Sequence, residues 1–168
     1  MSNIQDEFDK LLEEQNELRV RFQAKAQELF KQTTKEFFEK NPAVTAIVWT
    51  QYTPFFNDGD TCEFNVNDPY FTNANEEQMD DITSYGEYQG EDEGVWSESD
   101  WVLCGDSEYC VKQRASMNLE GVDPQSIKKF SKLIQSGDME DVMKAVFNDH
   151  VRVVATRSGF DVDEYDHD

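Results

Sequence analysis

Between residues 41 and 111 the chain has no lysine and no arginine, although fifteen bases are spread over its 168 residues. The same stretch holds sixteen acids. Such a segment repels phosphate, which excludes direct binding to nucleic acid or to an anionic membrane and leaves basic proteins and metal ions as the groups it attracts. Cysteine is scarce as well: Cys62, Cys104 and Cys110 form an odd set, too few for a disulfide scaffold and suited to a reducing compartment. The CGDSEYC spacing lets Cys104 and Cys110 approach each other in a loop. A zinc site wants a fourth ligand at a recognisable spacing, and His150 and His167 are remote in sequence.

Long apolar runs are missing too, and the opening MSNIQDEFDK is polar and acidic where a signal peptide needs a positive region and then an apolar one. A cytoplasmic location is expected. The chain contains no glycine-rich phosphate loop, no GxSxG, no HExxH and no paired CxxC, so the expectation is a protein that is not an enzyme and carries no catalytic residue, metal or cofactor. His150 beside Asp149 is the one candidate for an oriented base, but a lone histidine at a strand start is more often a surface or capping residue.

What is present is enough for a core. Twelve Phe, six Tyr and three Trp supply large apolar area to a chain long enough to bury roughly 70% of its unfolded surface. Residues 3 to 40 predict a helix, with neither Gly nor Pro from Ile4 to Lys40 and Asn41-Pro42 as a stop. Ile4, Phe8, Leu11, Leu18, Phe22 and Leu29 follow alternating steps of four and three once Gln15 and Lys25 are admitted, which is a flawed heptad seam. Such a helix runs about 55 Å against a globule about 40 Å across, so it either projects or bends. A projecting seam would pair with another copy through residues 4 to 29 or with a partner. The competing expectation is packing along its own domain through Ala26, Phe30, Phe37 and Phe38.

Residues 44 to 52 are β-rich and residues 62 to 66 alternate, with Asp58-Gly59 supplying a turn between them, so a hairpin is expected. Its alternation puts Cys62, Phe64 and Val66 on one face and Glu63 and Asn65 on the other. An acidic loop follows from Asn73 to Gly94, with a helical turn expected near Glu76 to Thr83, before a short apolar stretch at Trp101 to Cys104. Pro124 to Gln135 and Met139 to Phe147 read as helices, the first capped by Asp123. His150 to Arg157 and Phe160 to Tyr165 read as a second hairpin. The expectation is an α+β fold: residues 1 to 40 as a long helix, residues 41 to 168 as an acidic domain with an antiparallel sheet of about four strands and two shorter C-terminal helices.

The acidity is regional. Residues 1 to 40 hold nine acids and seven bases and residues 112 to 168 hold eleven and eight, so the middle carries most of the net charge of −21. Sixteen charges match the backbone of roughly 27 Å of duplex DNA, and their mutual repulsion costs stability that an ordinary domain need not give up. The candidate partner surface is therefore Asp58, Asp60, Glu76, Glu77, Asp80, Asp81, Glu87, Glu91, Asp92, Glu93, Glu98 and Asp100, with Trp49, Tyr52, Phe55, Phe56 and Trp96 as aromatic anchors. Core packing is the alternative for the aromatics, and a solvated loop is the alternative for the acids, above all for residues 87 to 100. Asp58, Asp60 and Glu63 have the look of part of a calcium loop but lack its remaining ligands. The acid cluster at residues 161 to 168 is a second weak metal candidate.

Two stretches, VWTQYTPFFNDGDTCEF at 48 to 64 and the ending from Asp149-His150 to Glu164-Tyr165-Asp166-His167-Asp168, resemble a family of small acidic bacteriophage and bacterial proteins that has no established activity. The resemblance implies a phage setting and no residue roles. By analogy with small acidic phage proteins that imitate nucleic acid, the expected function is to mask a basic, nucleic-acid-binding surface of a host protein. The alternatives are a small-molecule or divalent-metal protein built on the aromatic hairpin with Asp58 and Asp60, or an assembly protein acting through the N-terminal helix.

Overall fold

A computed structural model describes residues 2–56, 58–75, 95–96 and 121–167. The fold is α+β. Helix α1 (Ser2–Lys40) leads into strand β1 (Ala46–Tyr52), followed by β2 (Asn65–Val66), β3 (Tyr70–Thr72) and β4 (Val95–Trp96). Helix α2 (Pro124–Gln135), a 3-10 turn (Gly137–Met139) and helix α3 (Glu140–Phe147) come next, and the hairpin β5 (Val151–Thr156) and β6 (Gly159–Glu164) closes the chain. Every strand pair is antiparallel, in the order β4-β3-β1-β5-β6, with β2 also on β1. The expected helices and the second hairpin are present. β3 and β4 are additions, because three- and two-residue strands leave no usable alternation in sequence. The expected helical turn at 76 to 83 and the apolar stretch at 101 to 104 lie outside the described residues.

The core sits between the sheet and the three helices. Alternation along β1 sends Ile47, Trp49 and Gln51 to the helix side, where they meet Phe30, Phe37, Phe130 and Phe147. Phe30 packs edge-on to Phe147 at 5.3 Å and Phe37 lies 5.3 Å from Phe130, so the second half of α1 belongs to the core. On the opposite sheet face Ala46, Val48 and Val154 form a smaller buried cluster. The alternation expected at 62 to 66 holds, with Val66 buried, Cys62 and Phe64 half-buried, and Glu63 and Asn65 exposed.

Helix ends are fixed by side chains. Asn41 Nδ2 donates to Phe37 O at 2.8 Å, and the Arg157 guanidinium donates to the carbonyls of Val44 at 2.9 Å and Pro42 at 3.0 Å. Arg157 also donates to Phe38 O at 3.4 Å, a last-turn carbonyl of α1 that Pro42, with no N–H, cannot satisfy. Asn41 Oδ1 accepts from the Asp123 amide at 2.7 Å, tying that end to the start of α2. Asp123 caps α2 as expected: the Ser126 hydroxyl donates to it at 2.8 Å and the Gln125 amide at 3.1 Å. The Ser126 bond and the Gln125 amide hold its carboxyl below the ordinary 3.8.

The first half of α1 has no such company. Every residue from Asn3 to Phe22 is exposed, so about 30 Å of helix stands clear of the body at 1.5 Å per residue. The packing stripe beginning at Ala26 is buried, as are Phe30, Phe37 and Phe38. Both expectations for the helix therefore apply, each to one half.

Candidate functional site

Strand β1 sets where the acidic segment attaches. At its C-terminal end, Tyr52, the chain enters the connection to β2, which carries Phe55, Phe56, Asp58 and Asp60. Asp58, Asp60 and Glu63 are all exposed there. Gly59 turns with φ +96°, the left-handed region that the Asp-Gly pair serves, and its side-chain position faces open space. The connection is twelve residues long, from Thr53 to Phe64, so the pair of strands is joined by a long loop and not by a tight turn.

At the other end of β1, Thr72 pairs with Ala46, and Thr45 Oγ1 donates to Ala74 O at 2.6 Å. β4 pairs back onto β3 through Thr72 with Val95 and Phe71 with Trp96. Both ends of the acidic stretch between them are thus fastened to one sheet edge. Glu76, Glu77, Asp80, Asp81, Glu87, Glu91, Asp92 and Glu93 fall within that stretch and Glu98 and Asp100 just after β4, all outside the described residues. Cys104 and Cys110 lie outside them too. The two acidic groups are rooted at opposite ends of β1, about 20 Å apart at 3.3 Å per residue.

The aromatics divide sharply. Trp49 has 0% exposure and belongs to the core, which overturns its role as an anchor: alternation faces it into the helices, where it meets Phe147 at 5.4 Å. Phe55 and Phe56 are 68% and 78% exposed. Tyr52 is half-buried, and its ring stacks on His167 at 3.8 Å. Trp96 is placed by β4 on the outer sheet edge.

Sequence reasoning missed what stands behind this loop. Gln51, fully buried, accepts from Trp49 Nε1 at 3.2 Å and donates to Met143 O at 3.0 Å and Asn148 O at 2.6 Å. It pins the chain where Asn148 and His150 take positive φ of 75° and 57°, conformations that non-glycine residues seldom hold without support. Between them, Asp149 accepts from the Thr53 amide at 2.7 Å, the Thr53 hydroxyl at 2.6 Å and the His150 amide at 2.9 Å, with Lys144 Nζ at 3.3 Å. Burial alone would raise its carboxyl; the Thr53 bonds, with Lys144 and the His150 amide, outweigh that and hold it below the ordinary 3.8.

No family model, curated protein or solved structure matches the chain.

His150 Nδ1 and His167 Nε2 are 2.7 Å apart, so the two imidazoles share one hydrogen bond. Phe55 lies flat against both, at 4.8 and 4.6 Å. Tyr165 N donates to His150 O at 2.8 Å, extending the hairpin pairing into the tail. His150 does not have the geometry of a base oriented by Asp149: its Nε2 is 3.7 Å from Asp149 Oδ1, beyond hydrogen-bond length, and the carboxylate is occupied by Thr53. Asp149 instead clasps the start of the loop that bears Phe55 and Phe56. Among the described residues no group of three or more His, Cys, Asp or Glu is placed to hold a metal ion, and no helix is long and apolar enough to cross a membrane.

Proposed function

We propose that this chain is a non-enzymatic binding protein that covers a basic, nucleic-acid-binding surface of another protein, with carboxylates standing where phosphates would lie. The observation that carries the reading is the pairing of two exposed phenylalanines, Phe55 and Phe56, with Asp58 and Asp60 on one clasped loop, inside a segment that has no base. Interfaces draw affinity from a few aromatic anchors and draw steering from complementary charge. The roughly 20 Å between the roots of the two acidic groups is of the same order as the ~27 Å of duplex whose charge sixteen acids equal. The resemblance to small acidic phage proteins supports a host protein as the target and the host cytoplasm as the setting.

The test uses a target captured on the immobilised full chain and then purified. Its affinity should fall at least tenfold between about 50 and 300 mM salt. Neutralising Asp80, Asp81, Glu91, Asp92 and Glu93 to Asn or Gln should flatten that salt slope, and Phe56→Ser should weaken binding without altering the slope. Affinity indifferent both to salt and to the neutralised acids would refute the reading.

A further inference from the structure

The projecting half of α1 carries an apolar seam that the body does not cover. Ile4, Phe8, Leu11, Leu18, Phe22 and Leu29 are each more than half exposed. Six such side chains, with Leu12 beside them, present on the order of 700 Å² per chain, close to the ~800 Å² per partner of a standard specific interface. At the root the seam runs into an apolar groove of about 300 Å³ lined by Phe22, Ala26, Leu29, Leu133, Met139 and Val142. Charge along the helix is polarised: residues 1 to 14 have five acids and one base, and residues 15 to 31 have two acids and four bases.

We propose that the seam binds a second copy of this chain in antiparallel orientation, with the tip of each helix seated in the groove at the root of the other. Antiparallel pairing lays the acidic tip along the basic root, whereas parallel pairing stacks the acidic tips on each other. The register follows from the heptad. With Gln15 opposite the partner's Leu18, Leu11 faces the partner's Phe22 and Ile4 reaches the partner's Leu29 at the groove. Flanking the seam, Glu14 then meets the partner's Arg21, twice by symmetry. Phe8 falls opposite the partner's Lys25, whose alkyl stem can cover the ring while its ammonium reaches water. This inference is independent of the reading of the acidic segment.

Sedimentation equilibrium of the full chain should give twice the 19.5 kDa chain mass. Leu11→Asp with Leu18→Asp should give the single-chain mass with an unchanged near-ultraviolet dichroism spectrum, because both side chains are exposed in one copy and the aromatic core lies elsewhere. Glu14→Arg should weaken association at least tenfold, and adding Arg21→Glu should restore it. A single-chain mass for the unaltered protein at about 100 μM, or a dimer that survives the double Asp variant, would overturn the proposal. Restoration by Arg19→Glu in place of Arg21→Glu would indicate parallel pairing and would also overturn it.

Discussion

Replacing Gln51 with Leu tests whether one buried amide holds the loop clasp together. The side chains are similar in volume, so the change removes hydrogen bonds with little change in packing. Gln51 is fully buried, and its loss leaves Trp49 Nε1 without its 3.2 Å acceptor and Asn148 O without its 2.6 Å donor. Each orphaned buried group costs about 1–3 kcal/mol, partly offset by the gain from burying an apolar side chain, so the net loss should be about 2–4 kcal/mol. For a domain of this size that lowers the midpoint of thermal unfolding by roughly 5–15 °C. Because Gln51 fixes the Asn148 carbonyl next to two residues of positive φ, the loss should also reach the surface: ring proton shifts of Phe55 and Tyr52, which stack on His150 and His167, should move toward free values. A midpoint change under about 2 °C, with those ring shifts unmoved, would refute the argument that Gln51 organises the clasp.

Asp149→Asn should cost about 1–3 kcal/mol in chemical denaturation near neutral pH, through the loss of Lys144 and the weakening of the two Thr53 bonds. The folded carboxyl titrates below 3.8, so its contribution is full above that value and is lost as pH falls through the lower folded one. The gap between wild type and variant should therefore close in acid, and a gap that widens would contradict the assignment. Gly121→Ala should destabilise by about 1–3 kcal/mol, since Gly121 has φ +80° and an added methyl would meet Ala43 Cβ at 3.2 Å. Gly137→Ala, where an added methyl meets nothing within 4 Å, should change stability by under about 1 kcal/mol; equal losses at both glycines would remove the steric argument.

Long, strongly patterned elements were legible in the sequence. The uninterrupted run from Ile4 to Lys40 and the Asp123-Pro124 start of α2 each carry a local chemical signal that the fold keeps, and the Ser158-Gly159 signal marks the last hairpin although its turn residues are Arg157 and Ser158, with Gly159 opening β6 opposite Thr156. β3 and β4 carried none, because strands of three and two residues exist through pairing with β1 and with each other. The aromatic set was dense enough to notice, but only alternation within a known strand separates buried Trp49 from exposed Phe55. The histidine pair was hidden by distance in sequence and is explained by register: Val151 pairs with Glu164, so continuing the ladder brings His150 level with Tyr165 and within reach of His167. Counting outward from a turn at Ser158-Gly159 would set Val151 opposite Asp166; the turn is Arg157-Ser158, which shifts the register by two residues and was not singled out in the sequence. The Gln51 clasp left no signal at all, since its partners are main-chain carbonyls of a segment nearly a hundred residues away.

If the chain covers the surface on which its target binds nucleic acid, as proposed, the chain and DNA must compete for that target. The most direct measurement titrates duplex DNA of about 30 base pairs into the preformed complex of the chain with its purified target, at low salt, and follows the fraction of target still bound to the chain. Mutual exclusion is predicted, with DNA displacing the chain along a single-site competition curve and the chain displacing DNA in the reverse titration. A ternary complex in which the target holds both at once would contradict the account.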